Sequence, residues 1–564
     1  MNWGFLFVAL VGLVWPSTLM GQANPDPAYR VDPPGTEPGD GLMPQAAAPQ
    51  ATLKLPEAAA PAPGPFDAPA GPPAYRPALP AGTPEEHRQA DPAAPVGSLV
   101  DALQRTYWSN PQLLSERARL RSLDFRLPQA RGQYGPQLQY SASYGYQRQS
   151  FEQPVGGDVT RAGWGITASA ILSQPVFTFG RLRADEDSAR AEIAFGRASL
   201  RSSEQQILFS AISAYAAVLR DRAGVGIARD NANLLGREFS DTRIRFDVRE
   251  STATDLQQVQ SRFELARAQL LAAQRAAASS DAAFLRFVGA PAGELAPPNP
   301  LEIPARTLEE AYAYADAHNP VLASAYARER ISRAAVGSAR ADLLPRIGLE
   351  GRITSGAASA LSADLRQTEV RGAISITGTL DSGIREARLG EAIAANDADS
   401  RLIDAALREN RAELADAWNE WQTQTAAIAR LRAALEAARQ AVDGALLQER
   451  AGLRTTLEVL ELARDLLQVR SSYNATTAAA FVAKARVLAA MGALQHEYLL
   501  PEAEQYDPLW HFEKVKGNGD FPLLAPIVRT LDGLVTHSRS DRPVRDPAGP
   551  LAVDGVIIED EPAG

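Results

Sequence analysis

Two kinds of hydrophobic spacing alternate along this chain, and each occurs twice. Leu138, Tyr140, Ala142, Tyr144 and Tyr146 take every second position, as do Trp164, Ile166, Ala168, Ala170 and Leu172. Farther on, Ile347, Leu349, Gly351 and Ile353 precede Val370, Gly372, Ile374 and Ile376. Apolar, aromatic or small residues alternating with polar ones predict strands with two unlike faces. Each run is about ten residues, the length of a tilted strand across a bilayer; a soluble sheet with one buried face has the same period. Polar, Gly-bearing stretches at 153–161 and 355–368 predict hairpin loops between the paired strands.

Between the strand pairs the spacing changes to that of helices. No proline occurs from Val176 to Ala290 or from Arg346 to Leu500. The runs Gly180 to Val248 and Gly383 to Ala451 would each reach roughly 100 Å as a continuous helix. Leu407, Leu414, Trp421, Ile428, Leu435 and Val442 recur every seventh position. Leu256, Phe263 and Leu270 pair with Val259, Ala266 and Ala273 in a return helix, and Val459 to Val487 repeats the habit. Sustained three-four spacing is coiled-coil packing. The reversals fall near Arg249-Glu250-Ser251 and Gly452-Leu453-Arg454, glycine being a favoured helix stop.

The chain is one unit written twice. Leu99, Asn110-Pro111, Ala130-Arg131 and Pro136 recur 209 residues later at Leu308, Asn319-Pro320, Ala339-Arg340 and Pro345. Gly180, Ala184, Asp255, Leu285 and Gly289 recur 203 residues later at Gly383, Ala387, Glu458, Leu488 and Gly492. Two constant offsets mean a duplication with one length change between Pro136 and Gly180. Each half opens with a capped short helix at Ser98 or Thr307, and Thr307 to Glu310 fits a capping box. Asn-Pro then starts a second helix, running to about Arg131 or Leu343, where Pro136 and Pro345 break it. The boundaries that follow are 98–296 and 307–494 for the repeats, with 297–306 as linker.

The ends are different material. Residues 1–23 read as a secretory signal, with an apolar core from Trp3 to Trp15 and Gly21 and Ala23 as the small residues at −3 and −1 of a cleavage after Ala23, although no Lys or Arg precedes the core. Nineteen of the 40 prolines lie between Pro25 and Pro95, so 24–97 is expected to be a disordered leader. Residues 495–564 leave the repeat and are expected to be largely irregular, with Trp510-His511-Phe512 available to dock on the helices. No later stretch has 18 apolar residues in a row, so a membrane crossing requires a β-barrel.

Composition removes other readings. Net charge is −10 and no Lys/Arg-rich run exists, which argues against nucleic acid. Cysteine is absent, so disulfides, thiolate sites and a lipid on Cys are excluded. Five scattered His residues leave little for a metal, and no phosphate-cradling Gly loop, H-E-x-x-H or G-x-S-x-G occurs. No enzyme, cofactor or metal site is expected. Trp418 and Trp421, three apart on a seam, read as packing rather than as a stacking site.

Four strands cannot close a barrel, and open edges are not viable in lipid. Three chains would supply twelve strands, with twelve long helices continuing the tube; two would supply eight, too narrow for bulky cargo. The doubled plan, the Asn-Pro frame, Arg245-Phe246-Asp247-Val248 with Thr254-Asp255-Leu256-Gln257, and Gly452 to Glu461 resemble TolC-type outer membrane efflux proteins over Ser98 to Leu494.

That resemblance implies a mainly α fold with a β-barrel part: a homotrimeric α-barrel continuous with a 12-stranded transmembrane β-barrel, four strands per chain, in a Gram-negative outer membrane. It implies a channel, with its helical part in the periplasm, that joins an inner-membrane ABC or RND transporter through a periplasmic adaptor. Cargo is secreted protein or expelled drugs; a chain without Cys for lipidation leans towards type I secretion. It also implies that Arg454 is a gate arginine, Thr254 and Asp255 its partners, and Glu458 and Glu461 rings of acid. Arg249, Glu250, Gly452 and Leu453 would be the helix-turn tips that meet the adaptor. Glu449 stands where a gate tyrosine is usual, and Arg249 where a turn glycine is usual, so a different bond network and a different first turn are expected. A passive porin-like channel and a periplasmic coiled-coil scaffold are the alternatives.

Overall fold

The computed structural model describes residues 94–151, 157, 159–357, 366–522 and 524–534. All belong to one compact unit, Ala78–Gly564. The signal segment, nearly all of the leader, most of the expected hairpin loops (152–156, 158 and 358–365), residue 523 and 535–564 lie outside the described residues. Val96, at the end of the expected leader, pairs in parallel with Ala292, and its amide donates to Pro291 O at 3.0 Å.

The first repeat contains α1 (Leu99–Ser109), α2 (Pro111–Leu123), α3 (Arg126–Gly132), β1 (Gln137–Phe151), β2 (Val159–Phe177), α4 (Arg181–Asp247) and α5 (Ala253–Val288). The second contains α6 (Leu308–His318), α7 (Pro320–Ala341), β3 (Arg346–Ala357), β4 (Arg366–Thr377), α8 (Ile384–Arg450) and α9 (Thr456–Met491). α4 and α8 have 67 residues each, and α5 and α9 have 36. Each long helix is therefore about twice its return helix and packs on α7 as well.

The Asn-Pro frame has a double purpose. Asn110 Oδ1 accepts from the amides of Gln112 (2.9 Å) and Leu113 (3.4 Å), capping α2, while its Nδ2 donates to Phe287 O near the end of α5. Asn319 caps α7 through Val321 N at 2.8 Å and donates to Ala490 O at 2.8 Å near the end of α9. The amide accepts on one atom and donates from another, which an ionised Asp cannot do and which the single, shorter-reaching hydroxyl of Ser would have to do from one atom. α7 is continuous, but its counterpart breaks into α2 and α3 at Asp124-Phe125. Pro128 has no N–H to bond the Asp124 carbonyl, so the sequence expectation of one helix to Arg131 fails there. The capping box at Thr307 is also modified: Glu310 accepts from Arg306 N at 2.7 Å rather than from Thr307 N.

The strands form one antiparallel sheet in the order β1-β2-β3-β4, with a register shift between Pro175 and Phe177. They run farther than the period showed, shortening the predicted loops. Register places Tyr140 opposite Ala170, Ala170 opposite Ile353 and Ile353 opposite Val370. One face is thus apolar across all four strands. Its side chains are exposed in the single chain: Tyr140 by 84%, Val370 by 74% and Ile374 by 73%. Towards the β1–β2 tip, Tyr144 stacks on Trp164 at 5.2 Å and Tyr146 meets Trp164 edge-on. The other face carries Ser141 paired with Ser169 and Arg352 with Glu350, while Ser355 and Thr368 pair at the tip end of the apolar face.

The main core lies where α1 and α6 cross the long helices, built on Leu208, Tyr215, Phe284, Leu414, Trp418 and Leu488. Trp418 and Trp421 meet edge-on at 5.2 Å as part of this packing. The tail, expected to be largely irregular, adds α10 (His496–Leu499), α11 (Trp510–Val515) and α12 (Ala525–Gly533). Tyr506 lies over the buried Arg117 guanidinium, which also faces Tyr107 and Trp108. His511 Nδ1 meets Asp124 Oδ2 at 2.8 Å, and the ring of Phe512 faces Arg197. No helix among the described residues is long and apolar enough to cross a membrane.

Candidate functional site

The candidate residues gather at the far ends of the two helical hairpins, α4–α5 and α8–α9. Their turns are built alike. Arg249 N donates to Phe246 O at 2.9 Å and Glu250 N to Arg245 O at 2.7 Å; Gly452 N donates to Glu449 O at 2.8 Å and Leu453 N to Gln448 O at 2.9 Å. Both are Schellman ends, which need a residue of positive φ. Gly452 has φ +72° and Arg249 has φ +67°. The expected difference in shape between the turns is therefore absent. The capping bonds hold an arginine in a conformation that disfavours any Cβ. Arg249→Gly is expected to stabilise the hairpin by up to about 1 kcal/mol. A urea midpoint equal to or lower than that of the parent would contradict this.

The return helices start alike as well. Thr252 and Asp255 form a reciprocal capping box at α5, and Thr455 and Glu458 form one at α9. The bonds from Thr252 hold the Asp255 carboxyl below the usual carboxylate range. Thr254 is exposed beside it. Arg454 Nε lies 3.5 Å from Glu458 Oε2 on its own helix end. Among the described residues of one chain, no bond joins Arg454 to Thr254 or Asp255. Two residues expected to serve the gate, Asp255 and Glu458, thus also serve as local helix caps. Glu461 is exposed one turn farther along α9. Leu453 (79%) and Val248 (61%) leave apolar surface at the two tips.

A bond that ties the two hairpins together close to their ends was not singled out in the sequence. Glu449 is buried, and its Oε1 accepts from Thr456 Oγ1 at 2.7 Å and from Arg245 Nη1 at 3.4 Å. One carboxylate thereby connects the end of α8, the start of α9 and the end of α4. Glu238, one helical face below Arg245, is pushed up by burial and then by the charges of Glu449 and Asp241, with Arg245 and Arg450 opposing. Glu449 is the repeat equivalent of Phe246, but Phe246 is exposed, so the repeat gives no sign that the carboxylate at 449 is buried and partnered. Among the described residues, no group of acids, His or Cys is arranged to hold a metal ion.

Comparison with known proteins agrees with this geometry. The family model described as outer membrane efflux protein matches residues 102–290 and 311–493, one stretch per repeat. The outer membrane efflux protein BepC of Brucella suis is 28% identical over 434 residues, covering 75% of this chain and 91% of that one. The alkaline protease secretion protein AprF of Pseudomonas aeruginosa is 30% identical over 318 residues, 52% of this chain and 63% of that one. Among solved structures, VceC of Vibrio cholerae superposes with a TM-score of 0.60 at 20% identity, covering 70% of this chain and 96% of that one, and shares the fold. A doubled helix-strand-strand-helix unit, a sheet with an apolar outer face and a family match over both repeats lead to one conclusion: the chain belongs to the outer membrane efflux protein family, as a channel of the Gram-negative outer membrane and not an enzyme.

Proposed function

We propose that three copies of this chain close into one conduit, fed by an inner-membrane transporter through a periplasmic adaptor. The observation that carries the reading is the four-stranded sheet whose edge strands, β1 and β4, each lack a neighbour on one side. In lipid each open edge leaves a row of unsatisfied amides and carbonyls. Pairing β4 of one subunit with β1 of the next removes every edge, and three subunits give twelve strands, wide enough for cargo. A porin would need no helices of 67 residues. A soluble scaffold would not expose a continuous apolar sheet face.

Cargo selection resides in the transporter, of ABC or RND type. The likeness to AprF and the cysteine-free chain favour protein secretion; the likeness to BepC favours efflux. The inner end is the gate. Within a chain, Arg245, Glu449 and Thr456 hold the hairpins together. Between chains, Arg454 meets the partner subunit's Thr254 and Asp255, Glu458 and Glu461 form acidic rings around the axis, and the tips at Arg249, Glu250, Gly452 and Leu453 meet the adaptor. Three-fold symmetry makes each acid a ring that draws cations and repels anions.

Planar-bilayer recording tests the gate. The parent channel is expected to conduct poorly at rest and Arg454→Ser several-fold better. Conductance no greater than the parent's removes Arg454 from the gate, and a detergent-purified monomer that never enters bilayers removes the conduit.

A further inference from the structure

The two strand-to-helix junctions are equivalent in the repeat, yet their caps come from different places. Neither Gly180 nor Gly383, at the starts of α4 and α8, has a side chain with which to cap. In the second repeat the cap is local. Asp381 Oδ1 accepts from the amides of Gly383 (3.1 Å), Ile384 (3.0 Å) and Arg385 (3.5 Å), and its Oδ2 accepts from Arg385 Nε at 2.7 Å.

The first repeat has Thr178 at the position equivalent to Asp381. Its hydroxyl accepts from Leu182 N at 3.2 Å and its carbonyl from Arg181 N at 3.2 Å, which leaves the Gly180 and Arg183 amides to another acceptor. The missing carboxylate arrives from the tail. Asp532, fully buried on α12, accepts on Oδ1 from Thr178 N (2.8 Å), Thr178 Oγ1 (2.8 Å) and Gly180 N (3.1 Å), and on Oδ2 from Arg183 N (3.3 Å).

α12 is seated for this purpose. Ala525 and Val528 pack with Tyr134 and Leu182, and Arg529 meets Asp520 at 2.8 Å and the buried Glu186 at 3.5 Å. A helix start offers unpaired amides and a positive dipole end, and burial without an acceptor leaves those amides costly.

We propose that the C-terminal tail is a cap supplied from far along the same chain, which makes the first strand-to-helix junction conditional on synthesis of the chain through Asp532. The first repeat is made first, but its β2–α4 junction closes only when a residue 354 positions after Thr178 has docked. The second repeat closes its junction from its own sequence. Where β2 enters α4, the cap fixes the angle between sheet and helix, so barrel strands β1 and β2 are held in assembly geometry only in a chain that extends through Asp532. The tail is thereby a checkpoint against insertion of incomplete chains.

The test uses the full chain in detergent, with amide hydrogen exchange and the yield of membrane-inserted protein as readouts. In Asp532→Ala, the Gly180 and Arg183 amides are expected to exchange about tenfold faster or more, while Gly383 and Arg385 stay as in the parent. Thr178→Asp in the same background supplies a carboxylate where Asp381 supplies one and is expected to restore both protection and insertion. Thr178→Asp alone, with Asp532 present, crowds two carboxylates and should lower insertion. Unchanged exchange at Gly180 in Asp532→Ala overturns the proposal, as does failure of the double variant to recover. If Asp532→Ala yields no protein at all, recovery by the double variant supports the proposal and its absence overturns it.

Discussion

Gly492→Ala is expected to cost roughly 3 kcal/mol, and its repeat partner Gly289→Ala only about 1 kcal/mol. Both glycines end a return helix in the left-handed region, at φ +83° and +78°. Each substitution therefore meets the same backbone penalty. Their surroundings differ. A Cβ on Gly492 would stand 2.6 Å from the His318 carbonyl oxygen and 2.7 Å from Asn319 Cα, whereas one on Gly289 meets nothing nearer than Ser109 Oγ at 3.5 Å. A side chain could rotate away, but the His318–Asn319 backbone is held by the Asn319 bonds to Ala490, Asn410 and Val321. The strain has to spread into the α6–α7 corner and the end of α9. Urea denaturation in detergent, followed by loss of helical signal, measures the difference. Equal midpoints for the two variants would show that the corner yields freely.

The same pair shows what the sequence made legible. The 203-residue offset identified Gly289 and Gly492 as equivalent. Which of the two is crowded depends on α6 and α7, whose packing leaves no local trace. Periodicity revealed the strands and long helices because one face of each is apolar throughout. It missed the break at Pro128, where a single absent N–H decides, and it undercounted the strand ends, where alternation fades into polar residues. At the hairpin ends, the family resemblance correctly marked Arg249 as a departure but led to the wrong shape, since two capping bonds impose the left-handed turn on an arginine. Glu449 was noticed as a departure, yet its partners Arg245 and Thr456 lie on other helices. Asp532 was invisible for the same reason: a cap brought from the tail has no spacing signature. The repeat did contain a clue, because Thr178 stands where Asp381 is needed.

Val370→Arg is expected to cost about 2–4 kcal/mol of insertion free energy, while Ala373→Arg on the same strand costs little. Val370 is opposite Ile353 and 74% exposed in the single chain, at the middle of the apolar band that runs between the Tyr144–Trp164 ring pair and Ile376. Facing lipid there, a guanidinium has neither water nor a partner. Ala373 belongs to the alternate set with Glu369 and Arg371, and its register partner is Glu350, so a cation there enters a polar lumen opposite a carboxylate. Side-chain direction flips with each residue of a strand, so a shift of three positions exchanges the two media. Refolding of each variant into lipid vesicles, read as the heat-modifiable fraction on gels, gives the two free energies. If both arginines insert equally well, the apolar face does not meet lipid, and the sheet would then have to be closed with its aromatic side turned inward. That arrangement would bury Tyr140, Tyr144, Trp164 and Ile374 against the passage and leave Arg352, Glu350 and Arg371 in the bilayer, each at the cost now assigned to Val370→Arg alone.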